Sequence, residues 1–137
     1  MNLDPAEKAV LRDSFAALQP YAEQASVEFY ETLFELDPRL RGLFRDDLQG
    51  QGMRFMTALG LVVGLLDDPQ RLQRRLQDLG RAHAAFGLTA QDYQTMSEAF
   101  YITLRQTLGP ELAPEAGRAW RRAFTMMCEA MLAAGRD

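Results

Sequence analysis

The chain has 137 residues, of which 47% are hydrophobic and 25% charged, with a formal net charge of −4. This is the size and composition of one soluble folded unit that can bury a core without staples, and the acidic balance argues against nucleic acid as a partner. A single cysteine, Cys128, excludes an internal disulfide framework, and a single histidine, His83, excludes a Cys/His zinc cage.

The polar start at Asp4, Glu7 and Lys8 does not read as a secretory leader. The most apolar run, Ala58 to Leu66, is far shorter than the roughly 20 residues of a membrane helix. The expectation is a cytoplasmic protein with one domain over residues 1–137 and no membrane contact.

The elements follow in chain order. Three Asp-Pro pairs, Asp4-Pro5, Asp37-Pro38 and Asp68-Pro69, mark starts, because an aspartate cap accepts a free amide and the following proline has none to satisfy. The first helix carries Val10, Leu11, Phe15 and Leu18 and ends at Pro20. The second, from about Tyr21, carries Ala22, Ser26, Phe29, Tyr30 and Leu33. A short turn from Pro38 leads to Leu43 and Phe44, and a polar bend is expected over Arg45 to Gly50. The next helix shows Leu48, Phe55, Leu59, Val62, Val63 and Leu66. After Asp68 the stripe is Leu72, Leu76, Leu79, His83 and Phe86. Thr89 with Asp92 reads as a capping box for a helix carrying Tyr93, Met96, Phe100, Leu104 and Leu108. The last helix shows Trp120, Phe124, Met127 and Met131. Gly87, Gly109 and Gly135 read as helix ends. No period-two run stands out, so the fold class is all-α with about six substantial helices.

Few residues could carry chemistry. His83 lies on the apolar stripe of its helix, with Arg71, Arg74, Arg75 and Asp78 on the other face. An inward imidazole needs a partner for each nitrogen. It is either a core histidine bonded to backbone or a ligand to iron in an apolar pocket. In the second case its other nitrogen donates to a carbonyl one turn back, near Leu79. Tyr30 and Gln51 place polar tips on the buried faces of two different helices. Each either bonds a backbone group or aims at a shared polar ligand. Arg54, one turn beyond Gln51, is either a snorkelling surface arginine or the partner of an anionic cofactor. Met126, Met127 and Met131 read as core filler and Cys128 as an unreactive thiol. No phosphate-binding glycine loop and no serine triad is present.

Taken together these residues resemble the globin family over essentially the whole chain. Phe29-Tyr30-Glu31-Thr32-Leu33-Phe34, Asp37-Pro38 and Leu43-Phe44 resemble its second helix and the corner after it. Leu79-Gly80-Arg81-Ala82-His83, Phe86-Gly87-Leu88 and Tyr93 resemble its proximal histidine segment. The likeness is to bacterial single-domain haemoglobins and the haem domains of flavohaemoglobins. It implies haem b as cofactor, with His83 as axial iron ligand and Tyr30 and Gln51 as the distal hydrogen-bonding pair. Phe44 would wedge against the haem, Phe55 would line the distal pocket, Arg54 would meet a propionate and Tyr93 would lie behind His83. Leu79 completes the cofactor-binding set. The alternative register puts Gln49 at the distal position, followed by Met53. Two departures stand out: Gly135 falls where flavohaemoglobins carry a glutamate, and Phe55 stands where a smaller aliphatic is common.

The resemblance implies reversible binding of dioxygen or another diatomic gas, nitric oxide or carbon monoxide. Its rivals are nitric oxide dioxygenation, which needs a separate reductase because no flavin or NAD module fits this length, and a haem-free helical sensor or adaptor.

Overall fold

The computed structural model describes residues 3–43, 48–84 and 87–135, with backbone alone for 43 and 48–51. Asp4 opens the first helix, α1 (Pro5–Leu18), with a reciprocal cap. Its carboxylate accepts the Glu7 amide at 2.8 Å and the Glu7 carboxylate accepts the Asp4 amide at 3.2 Å. The helix stops at Leu18, a 3-10 turn spans Gln19–Tyr21, and α2 runs Ala22–Leu36. Asp37 leaves the helix in an extended conformation and accepts the Arg39 amide at 3.1 Å, which starts the 3-10 segment Pro38–Leu43.

Next comes α3 (Leu48–Gly64), which begins inside the stretch expected as a bend up to Gly50. Glycines at 50 and 52 weaken a helix by local propensity, but at Gly52 tertiary packing needs one. A Cβ there would lie 2.5 Å from the Ser26 Cβ, so glycine lets α3 rest directly on α2.

Asp68 caps α4 (Pro69–Ala84) through the Arg71 amide at 3.3 Å. Gly87, with φ +66°, turns the chain beyond α4. Thr89 and Asp92 form the expected capping box at the head of α5 (Ala90–Leu108), and Gly109, with φ +52°, ends that helix. A 3-10 turn at Gly109–Glu111 leads to α6 (Ala116–Gly135). Among the described residues there are six α-helices and no strand, an all-α architecture.

The helices pack as α4 on α6, α2 on α3 and α5, and α5 on α6, with α1 across α6 and α3. Leu11, Leu18, Leu33, Leu76, Phe100, Leu104 and Trp120 are almost wholly buried. An aromatic chain runs through the centre. Phe29 of α2 stacks on Phe55 of α3 (centroids 4.5 Å apart), Phe55 meets Phe100 of α5 edge-on at 5.9 Å, and Phe100 meets Trp120 of α6 edge-on at 4.9 Å. Trp120 Nε1 donates to Ser14 Oγ at 2.8 Å, and Ser14 Oγ donates to the Val10 carbonyl at 2.6 Å. The one polar atom of the buried indole is thereby satisfied and α6 is tied to α1. Met126, Met127 and Met131 pack against or within the core as fillers. No described helix is long and apolar enough to cross a membrane.

Candidate functional site

Along α4 the apolar stripe climbs out of the core. Leu72 and Leu76 are buried, Gly80 is buried, and Leu79 and His83 are half-buried. His83 Nδ1 lies 2.7 Å from the Leu79 carbonyl oxygen. A carbonyl only accepts, so Nδ1 carries a hydrogen and donates it. This is the backbone bond that both sequence readings of His83 required. In a neutral ring that arrangement is the Nδ1–H tautomer.

On α2, Tyr30 is 5% exposed. Its ring meets Phe29 edge-on at 5.0 Å and stacks towards Phe34 at 5.9 Å. Burial pushes its phenol up to about 12, against a smaller downward pull from the Arg54 charge. The hydroxyl is therefore protonated, and a donor, across the physiological range.

On α3, Phe55 is half-buried and fixed between Phe29 and Phe100, which joins it to the wall that carries Tyr30. Arg54 is exposed, with its charge near enough to act on Tyr30. Gln51 lies on the first turns of α3, but its side chain, that of Gln49 and the whole of Phe44 are outside the described residues, as is Phe86.

Tyr93 is buried on the first turn of α5 and faces α6. Burial, then the neighbouring Cys128 and Asp92, push its phenol up to about 12. Tyr93 and Cys128 line a groove of about 380 Å³ between α5 and α6, together with Phe124 and Leu132. Burial also pushes the Cys128 thiol up to about 12, with Glu129 adding to the rise, so thiolate is scarce at neutral pH.

Sequence reasoning missed the two glycines that set these helices. Gly52 brings α3 onto α2 at Ser26, and Gly80 brings α4 onto the Met131 backbone of α6. The available signal was a glycine inside a helical pattern, which costs stability unless packing needs it.

A globin family model matches residues 27–131, which span α2 to α6 and contain both His83 and Tyr30. The chain belongs to the globin family. This globin is 27% identical to neuroglobin from Danio rerio over 144 residues, covering 95% of this chain and 91% of that protein. It is 23% identical to a flavohemoprotein from Bordetella pertussis over 133 residues, covering 95% of this chain and 33% of that protein, so it spans about a third of the flavohemoprotein's length. A hexacoordinated haem protein from an anhydrobiotic tardigrade superimposes with a TM-score of 0.87 at 20% identity, over 98% of this chain and 96% of that one, and it shows the same fold.

Membership of the family supports haem-based gas binding, and the donor chemistry fits it. Among the described residues no three of His, Cys, Asp and Glu gather where they could hold a metal ion. A single imidazole, oriented by a carbonyl, would suit an iron whose remaining protein-independent ligands come from a porphyrin.

Proposed function

We propose that this globin is a cytoplasmic, single-domain haem b protein over residues 1–137 that reversibly binds dioxygen, or another diatomic gas such as nitric oxide or carbon monoxide. The observation that carries this reading is the His83–Leu79 hydrogen bond, which holds the sole imidazole by Nδ1 in one orientation. When bound, haem supplies a ferrous iron with an open position for the gas. His83 holds the iron, and the Leu79 carbonyl keeps the ring in one orientation. Tyr30 donates its hydroxyl hydrogen to the far atom of a polar diatomic ligand, and Gln51 acts beside it. Phe44, Phe55 and Leu79 wall the cofactor and exclude water. Tyr93 stands behind His83.

Because His83 is the only histidine, two imidazoles from one chain cannot meet on one iron. The ferrous, ligand-free protein is expected to be five-coordinate. Absorption and resonance Raman spectra of the oxidised, reduced and carbonylated forms test this. Absence of any haem complex would remove the proposal, and a bis-imidazole spectrum from monomeric protein would remove its five-coordinate site.

Arg54 meets a haem propionate at the pocket rim. An exposed ion pair contributes about 0–1 kcal/mol, so Arg54→Ala should speed haem loss by at most about fivefold and leave the reduced spectrum unchanged. A large change in gas dissociation with unaltered haem retention would count against that role.

The likeness to flavohemoproteins favours a second reading, nitric oxide dioxygenation to nitrate, with electrons supplied by a reductase. Steady turnover of nitric oxide with a supplied flavin reductase would select it. A single stoichiometric reaction without turnover would leave simple gas binding.

A further inference from the structure

At the α4–α6 crossing the two backbones touch. A Cβ on Gly80 would lie 2.7 Å from the Met131 Cα and 2.8 Å from its carbonyl carbon. These are main-chain atoms, which cannot swing aside as a flexible side chain can. A little further along α6, a Cβ on Gly135 would meet the Gly80 carbonyl oxygen at 3.3 Å and the Ala84 Cβ at 3.4 Å. Glycine at 80 is therefore required by close approach, since neither Gly80 nor Gly135 adopts a positive φ.

The location of this contact is what matters. The carbonyl that accepts the His83 Nδ1 hydrogen at 2.7 Å belongs to the Leu79–Gly80 peptide. Its plane is set by the same Gly80 Cα that rests on Met131. His83 follows three residues later on the same helix, and Ala84 touches the Gly135 position. The height of α4 over α6, the direction of the Leu79 carbonyl and the aim of the imidazole are thus one rigid arrangement.

We propose that Gly80 is the positioning residue for the iron ligand, resting on the haem reading above: its missing side chain seats α4 on α6 and so fixes the distance and tilt at which His83 Nε2 meets the iron. A methyl group at position 80 forces α4 away from α6 by roughly 1 Å, because packed backbone does not compress. A shift of that size exceeds the roughly 0.5 Å tolerance of an organised site.

The test is resonance Raman spectroscopy of the ferrous, ligand-free holoprotein, read at the iron–imidazole stretch, alongside thermal unfolding of the haem-free protein. Gly80→Ala should move that line by several wavenumbers and speed haem release by roughly tenfold, the low end of what disturbing the support of a ligating histidine costs. Gly135→Ala, whose contacts are tight but not prohibitive, should move the line less and in the same direction; it decides the matter if Gly80→Ala does not fold. Gly64→Ala, with nothing within 4 Å of its added carbon, should leave the line in place. Lower unfolding temperatures for both α4–α6 variants with the line unmoved would overturn the proposal and leave the glycines a purely structural part. If the parent protein shows no iron–imidazole line, the haem reading itself fails, and this inference falls with it.

Discussion

His83→Ala is expected to give a protein that folds but does not keep haem. The imidazole is half-buried at the outer end of the α4 stripe, while Leu72 and Leu76 below it carry the helix's burial, so the helix loses little when the ring is removed. On the proposed reading the cofactor loses the one imidazole the chain can offer it. Disturbing even an outer-shell partner of a ligating histidine costs roughly 10–100-fold in metal affinity, so removing the ligand itself should weaken retention by at least ~100-fold. Haem transfer to an excess of an apoprotein acceptor measures the loss, and circular dichroism of the haem-free protein checks the fold. An unchanged haem content with an unchanged spectrum would sink the assignment.

Tyr30→Phe is expected to speed dioxygen release by about ten- to a hundredfold, because a hydrogen bond to a charged or strongly polarised acceptor contributes roughly 1.5–3 kcal/mol. The substitution is clean. Phenylalanine keeps the edge-on contact with Phe29 and the stacking towards Phe34, and only the hydroxyl is lost. That hydroxyl is a donor at neutral pH, since burial holds the phenol up at about 12. The sign is fixed: deprotonation of Tyr30 is harder in the folded chain than in water, so the donor persists as pH rises past the usual tyrosine range near 10. Carbon monoxide, less polar when bound, should be released at nearly the parent rate. Gln51→Leu should have a smaller effect than Tyr30→Phe. Stopped-flow displacement measures all of these rates. Equal dioxygen release from Tyr30→Phe and the parent would remove the tyrosine from the reading, and a large effect of Gln51→Leu alone would exchange the two roles.

The local chemistry was legible in the sequence. Asp4, Asp68 and Thr89 stand where free helix amides need an oxygen, and each accepts one in the structure. The apolar stripe of α4 puts His83 on the inner side, and the carbonyl four residues back, within reach of its ring, accepts from Nδ1. The burial of Tyr30 and the filler role of the methionines likewise follow from helical periodicity. The bend expected over Arg45 to Gly50 overlaps the helix expected to carry Leu48, and the helix prevails from Leu48 onward, with Gly52 tolerated in it because α3 rests on Ser26 there.

The starts of α1, α4 and α5, the inward faces and the single imidazole are written in the sequence, because these depend on residue identities and on groups within a turn or two of one another. Where helices cross, and what they bring together, depends on the packed fold. The Trp120 indole satisfies itself on Ser14, 106 residues away, and Phe29, Phe55, Phe100 and Trp120 form one aromatic chain from four helices. The Arg54 charge reaches Tyr30, and Tyr93 faces Cys128. Gly52 and Gly80 mark backbone contacts with partners that no spacing rule names. Periodicity reports which face of a helix is buried, whereas the depth of a crossing depends on the volume of side chains distant in sequence, and two missing Cβ atoms set that depth here.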